Sequence, residues 1–140
     1  MNDAVLDASV VLKWFRADGE RHVKQALALR GLFQHGKLGI VVPPLLGVET
    51  LNVAARGWGL NEQELVEFVR TLERFRFDVR EPDLEEVARW ASRGLSAYDA
   101  TYVALAEAEE LPLVTDDDEL MALAPLVARP LRDQPEIARP

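Results

Sequence analysis

The sequence predicts a single α/β domain with a central parallel β-sheet flanked by α-helices. Short apolar runs alternate along the chain with stretches whose apolar residues recur at helical spacing, a pattern typical of a parallel sheet covered by helices. The 140 residues, 49% of them hydrophobic, suffice for one domain with its own core. No internal repeat or low-complexity linker divides the chain. We therefore expect one domain over residues 1–132 and a frayed tail over residues 133–140.

The strands are predicted from short apolar runs. The first, AVLDA, ends in an acid, as expected of a buried strand that reaches its carboxyl edge. The second is followed by two prolines, which are tolerated in the first turn of a helix. The last run suits an edge strand. The predicted strands cover residues 4–8, 40–42, 77–79, 111–115 and 126–131.

The helices are predicted from apolar stripes and from their ends. Asn61 and Glu64 have the spacing of a capping box, and Ser96 has the same spacing to Asp99. Apolar residues then recur at positions i, i+3, i+4 and i+7. The predicted helices cover residues 20–34 and 44–56, a segment capped at Asn61, a stripe from Leu84 to Ala91, residues 96–110 and a short helix from the acids 116–119 through Leu123.

Composition excludes several kinds of protein. With no cysteine, the chain has no disulfides, no thiolate metal site and no cysteine nucleophile, and its two histidines show no metal-ligand spacing. No apolar run approaches the length of a membrane span, and the N-terminus does not resemble a signal peptide. We expect a cytoplasmic protein with no membrane contact. The net charge of −8 argues against a generic nucleic-acid-binding surface.

Three carboxylates each stand alone in a stretch without other charges. They are Asp7 between Asp3 and Lys13, Glu49 between Lys37 and Arg56, and Asp99 between Arg93 and Glu107. Stretches so poor in charge are expected to be buried, and a buried carboxylate is costly unless it is paired, changes its pKa or binds a metal. No cation neighbours any of the three in sequence. A shared metal ion is the simplest explanation, and an all-oxygen site suits Mg²⁺ or Mn²⁺.

The predicted topology places these acids near one edge of the sheet. In open parallel sheets, ligands bind at the carboxyl ends of the strands. Asp7 ends the first strand, and the acids from Asp116 to Asp118 follow the fourth. Glu49 lies one turn into the helix after the second strand, where Asn52 shares its face and could hold its carboxylate.

Each acid also has a purely structural interpretation. Asp7 could cap a helix beginning at Ala8, and Asp99 could complete a capping box with Ser96. The acids 116–118 suit the positive end of a helix dipole. Glu49 fits such an interpretation least, since it lies on an apolar stripe. The structural interpretations would all have to hold at once.

Four motifs together resemble a known family. They are LDASVVLKW after the first strand, ExxN on the following helix, YDATYVALA, and LVTDDDEL after the fourth strand. In order and spacing the chain resembles a PIN domain, and more narrowly the VapC-type toxins of toxin–antitoxin modules. The resemblance runs from residue 4 to about residue 131.

The resemblance implies a site and an activity. Asp7, Glu49, Asp99 and Asp117 would be the catalytic, metal-binding acids, with Ser9, Asn52 and Thr115 as supporting polar residues. Only the T-x-D spacing selects Asp117, and Asp116 could take part. The implied activity is a ribonuclease dependent on Mg²⁺ or Mn²⁺, which hydrolyses RNA internally with metal-activated water. The implied partners are RNA, a cognate antitoxin and a second copy of the chain. The alternative is a PIN-fold module that binds RNA or protein without cutting.

Overall fold

A five-stranded, all-parallel sheet forms the centre of the structure, a computed structural model that describes residues 2–136. Each predicted strand is present, and the parallel sheet is confirmed. The spatial order is β3-β2-β1-β4-β5. The strands are β1 (Asn2–Leu6), β2 (Leu38–Val42), β3 (Asp78–Val79), β4 (Leu113–Thr115) and β5 (Ala128–Pro130).

Seven α-helices flank this sheet within residues 2–136. Six were predicted, and the capping box between Asn61 and Glu64 is present with both of its hydrogen bonds. The helix after Asp7 appeared in the sequence only as an alternative role for that acid, because four residues are too few for a periodic signal. The helices are α1 (Ala8–Val11), α2 (Val23–Gln34), α3 (Leu45–Gly57), α4 (Glu62–Arg74), α5 (Leu84–Ala91), α6 (Ala97–Ala108) and α7 (Asp118–Leu123).

Strand β1 and helix α6 form the middle of the core. Ala4, Val5 and Leu6 are fully buried because β1 lies between β2 and β4 and both faces of the sheet are covered. Helix α6 packs on β1 and β4, and it is buried over most of its circumference between Ala100 and Ala106. An acid in the first turn of α6 is therefore held close to the end of β1.

An aromatic cluster anchors the segment that follows Asp7. Trp14 ends a 3₁₀ turn (Leu12–Trp14) directly after α1, and its indole N–H donates to the Ala26 carbonyl at 2.8 Å. Its ring packs against Phe33, Phe75 and Phe77, with centroids 5.2–6.5 Å away. This packing ties the first motif to α2 and to the end of α4.

Residues 131–134, which include the first two residues of the predicted frayed tail, are packed, and the extent of that tail stays a prediction. Residues 131–133 form a 3₁₀ turn with Leu131 fully buried. Gln134 is also buried, and its side-chain amide donates to the Pro130 carbonyl at 3.1 Å. The tail is thus packed at least as far as Gln134, because a buried amide needs a partner. The rest of the predicted tail, residues 137–140, lies outside the described residues.

Within residues 2–136, no helix has both the length and the apolar character needed to cross a bilayer.

Replacing Asn61 tests the cap that the sequence predicted. Asn61→Ala removes the acceptor for the Glu64 backbone N–H, bound at 2.8 Å, and should lower the free energy of unfolding by about 1 kcal/mol. Urea titration measures the change. Asn61→Asp keeps the acceptor and serves as the control. Equal losses in both variants would show that the cap contributes nothing.

Candidate functional site

The site is built around the buried carboxylate of Asp7. Asp7 follows β1 and caps α1, and it is 5% exposed. Its Oδ1 accepts hydrogen bonds from the Ser9 backbone N–H at 3.1 Å and from the Ser9 hydroxyl at 2.6 Å. Its Oδ2 accepts from the Thr115 hydroxyl at 2.5 Å. Asp7 therefore fulfils its structural interpretation as a helix cap and also links two neighbouring strand ends.

The two hydroxyls extend this link to the acids after β4. The Asp116 backbone N–H donates to Ser9 Oγ at 3.1 Å, and the Asp117 backbone N–H donates to Thr115 Oγ1 at 3.0 Å. Each hydroxyl thus accepts from the acidic loop and donates to Asp7. Ser9 and Thr115, predicted as supporting residues, lie beside Asp7 and orient its carboxylate.

Glu49 is held by a residue that the sequence analysis missed. The Tyr102 hydroxyl on α6 donates to Glu49 Oε1 at 2.8 Å, while Glu49 itself is half-buried. The expected bond from Asn52 is absent: Asn52 is exposed and its side chain has no hydrogen bond within residues 2–136. Asn52 lies on the solvent side of α3, whereas Tyr102 reaches Glu49 from the core. The i+3 spacing from Asp99 to Tyr102 was the available signal.

Asp99 and Asp117 each lie at the start of a helix. The Asp99 backbone N–H donates to the Ser96 hydroxyl at 3.0 Å, so Ser96 caps α6. Asp117 caps α7, with its Oδ1 accepting from the backbone N–H groups of Glu119 and Leu120 at 2.9 and 3.2 Å. Its Oδ2 accepts no hydrogen bond from the described residues. Capping therefore occupies one oxygen of Asp117 and leaves the other available.

Burial and the charges of neighbouring acids raise the pKa of three of the four acids. Burial, followed by the charges of Asp99 and Glu49, raises the pKa of Asp7 to about 7 against the opposing hydrogen bonds of Ser9 and Thr115. Burial and then the charge of Asp99 raise the pKa of Glu49. Burial and then the charge of Asp117 raise the pKa of Asp99. In the described part of the chain, no lysine, arginine or histidine forms an ion pair with any of the four.

Asp116 has the opposite environment. Lys13, Arg21 and His22 contact its carboxylate at 3.2, 3.1 and 2.9 Å. Although burial opposes it, these contacts hold the pKa of Asp116 below its ordinary value. The chain thus offsets the negative charge of this acid, whereas the four acids of the site have no such ion pairs.

The donor set fits a hard divalent cation. Asp7, Glu49, Asp99 and Asp117 supply only carboxylate oxygens, and their mutual repulsion would be relieved by positive charge. As they stand, no three His, Cys, Asp or Glu side chains within residues 2–136 are grouped closely enough to hold a metal ion. The acids are close enough for their charges to interact, and several of their oxygens accept hydrogen bonds from Ser9, Thr115 and Tyr102.

Together, the parallel sheet and the acids at its carboxyl edge define a single-domain α/β protein with an oxygen-rich, cation-deficient site. The chain belongs to the PIN domain family, whose model matches residues 4–125. The family resemblance predicted from the four motifs is confirmed.

Individual relatives agree with this assignment. The chain is 51% identical over 45 residues to "Exonuclease VapC9" from Pyrobaculum aerophilum, a match that spans 31% of this chain and only 34% of that relative. The crystal structure of PAE2754 from Pyrobaculum aerophilum is 29% identical with a TM-score of 0.66, covering 93% of this chain and 90% of that one.

Two further structures share the fold at lower identity. FitAcB from Neisseria gonorrhoeae is 18% identical with a TM-score of 0.64, over 89% of this chain and 95% of that one. A chain of a toxin–antitoxin complex from Klebsiella pneumoniae is 19% identical with a TM-score of 0.54, over 85% and 90%. At these identities the likeness shows the fold alone.

The pKa of Asp7 predicts how stability depends on pH without metal. Between its ordinary value of 3.8 and about 7, Asp7 is protonated when folded and ionised when unfolded. The free energy of unfolding should therefore fall by a few kcal/mol as the pH rises from about 4 to about 7. Urea titrations in EDTA across this range measure the slope.

Asp7→Asn removes this titration and keeps the shape of the side chain. The variant should show a shallower fall than the wild type and should be the more stable protein above pH 7. Parallel curves for the two proteins would contradict the burial of an uncompensated Asp7 carboxylate.

Proposed function

We propose that this protein is a metal-dependent endoribonuclease and the toxin of a type II toxin–antitoxin pair. The main support is the set of four acids at the carboxyl edge of the sheet, Asp7, Glu49, Asp99 and Asp117, which have no cationic partner within the described residues. The neighbouring Asp116 shows that this chain can neutralise a carboxylate where its fold requires it. The lack of compensation at the other four therefore supports a bound cation.

Mg²⁺ or Mn²⁺, when bound, would offset the charge of the acids and of an RNA phosphate and lower the pKa of an attacking water. Asp7 would hold the ion from a carboxylate fixed by Ser9 and Thr115. Glu49, positioned by Tyr102, and the available oxygens of Asp99 and Asp117 would complete the ligands. A bound cation also answers the objection from the net charge of −8.

The position of the cleaved bond separates this proposal from the named activity of one relative. That relative is called an exonuclease, but it matches this chain over only 34% of its length. Our proposal is cleavage within the RNA chain, which needs no free end. The cytoplasmic location expected from the sequence remains a prediction.

One observation favours the alternative of a PIN-fold module that binds RNA or protein without cutting. In the described part of the chain, the acids do not already form a cluster able to hold a metal ion. We favour the enzyme because all four acids are present and uncompensated.

Circular RNA distinguishes these activities. The purified protein is incubated with a circularised random-sequence RNA library in Mg²⁺, Mn²⁺ or EDTA. Linear products with 5′-phosphate and 3′-hydroxyl ends should appear only with metal. They should be absent with Asp99→Asn and present with Asp18→Asn, an exposed acid outside the site that serves as the matched control.

Other results would contradict the proposal in distinct ways. Intact circles together with digestion of the linearised library from its ends would indicate an exonuclease. Intact RNA of both kinds, with Mn²⁺ binding confirmed by calorimetry, would indicate the non-cutting module.

An exposed apolar surface beside the acids supports a protein partner. Tyr98 directly precedes Asp99, and Leu84 begins α5, with exposures of 62% and 79%. Tyr98 and Leu84 line a groove of about 320 Å³ together with Pro44 and Leu45. Apolar side chains grouped in this way are typical of interaction sites. We propose that a second copy of the chain covers this surface and that the cognate antitoxin binds across the acids beside it.

Leu84→Glu tests the homodimer. The charge should be tolerated in the monomer, because Leu84 is 79% exposed, and should weaken self-association at least tenfold by entering the interface. Analytical ultracentrifugation measures the effect, with Leu126→Glu, on an exposed residue far along the chain, as the control. Equal association of all three proteins would place the interface elsewhere.

A further inference from the structure

Every polar group of Asp116 is engaged. Its backbone N–H donates to Ser9 Oγ at 3.1 Å, and its carbonyl accepts from Arg21 Nη2 at 2.7 Å. Its Oδ1 accepts from His22 Nδ1 at 2.9 Å. Its Oδ2 lies 3.2 Å from Lys13 Nζ and 3.1 Å from Arg21 Nε. These contacts join the segment between α1 and α2 to the loop that follows β4.

The centre of this cluster is buried. The side chains of Lys13 and Asp116 are only 4% and 7% exposed. Glu20, which is 47% exposed, contacts the Lys13 ammonium from the solvent side at 3.4 Å. An ammonium buried this deeply is costly unless it is paired. Asp116 is therefore the main counter-ion that allows Lys13 to be buried.

The neighbouring Asp117 differs in its contacts. Its Oδ1 caps α7, and its Oδ2 accepts no hydrogen bond from residues 2–136. Its charge acts on Asp99, whereas the charge of Asp116 is offset by Lys13 and Arg21. Two adjacent acids thus have separate tasks, and only Asp117 retains an oxygen for a ligand.

Asp116 reaches the site through Ser9. Because the Asp116 N–H occupies one lone pair of Ser9 Oγ, the Ser9 hydroxyl proton is directed to Asp7 Oδ1 at 2.6 Å. His22, which contacts Asp116 in this cluster, has a left-handed backbone conformation with φ 56°. This conformation is unfavourable for a residue other than glycine. The contacts to Asp116 offset that strain.

We propose that Asp116 is a positioning residue and not a metal ligand. Its ion pairs with Lys13 and Arg21 and its hydrogen bond with His22 fix the loop after β4, so that Ser9 orients Asp7 and Asp117 faces Asp99. The reason why the acids need to be positioned rests on the proposed function. The contacts of Asp116 themselves can be tested without RNA.

Two variants of adjacent acids provide the test. In EDTA, Asp116→Asn should lower Tm by on the order of 5–10 °C, because it leaves Lys13 buried without its counter-ion. Asp117→Asn keeps the cap of α7 and removes a charge that repels Asp99, so it should leave Tm unchanged or raise it. Differential scanning calorimetry measures both.

The response to Mn²⁺ then distinguishes a positioning residue from a ligand. Mn²⁺ should raise the Tm of Asp116→Asn as it raises that of the wild type, and this shift should be lost in Asp117→Asn. For RNA cleavage, Asp116→Asn should lower kcat by roughly tenfold with KM unchanged, because binding remains while the geometry of the acids loosens.

Arg21→Gln keeps the test decisive if Asp116→Asn does not fold. Arg21 is 54% exposed, so its loss removes two contacts to Asp116 without uncovering a buried charge. It should lower Tm by a smaller amount and retain the Mn²⁺ shift. Loss of the Mn²⁺ shift in Asp116→Asn, or an unchanged Tm in both Asp116→Asn and Arg21→Gln, would overturn the proposal. Absence of RNA cleavage by the wild type would instead count against the proposed function alone.

Discussion

The burial of the Asp7 carboxylate between the ends of β1 and β4 is the constraint on which the site depends. A carboxylate that is 5% exposed needs its hydrogen bonds satisfied, and Ser9 and Thr115 supply them from two different segments. The same hydroxyls accept backbone N–H groups from Asp116 and Asp117. The parallel pairing of β1 with β4 brings these segments together, so the sheet and the site share one network.

Charge is distributed unevenly around this network. On one side, Lys13, Arg21 and His22 converge on Asp116, and the pKa of that acid is lowered. On the other side, burial and then the charges of neighbouring acids raise the pKa values of Asp7, Glu49 and Asp99. Lys13 and Arg21 pair with Asp116, and neither forms an ion pair with these acids.

Much of the fold was predictable because it depends on local patterns. The strands in the core are short apolar runs, and α4 carries both an apolar stripe and a capping box. The differences came where the signal was weak or non-local. Helix α1 has only four residues, and the packing of Gln134 depends on a contact with Pro130 that no periodic pattern indicates.

By itself, the sequence determined the family and which acids lie in uncharged surroundings, since both follow from residue types and their order. Only the tertiary structure decided what holds each acid. The hydrogen bond to Glu49 comes from Tyr102 and not from Asn52, because α6 approaches α3 from the core side. The tertiary structure also separated two adjacent acids: Asp116 pairs with Lys13 and Arg21 from the first part of the chain, whereas Asp117 caps its own helix. Hydrogen bonds and ion pairs between Asp116 and Lys13 or Arg21 span about a hundred residues. Such contacts exist only once the sheet has formed.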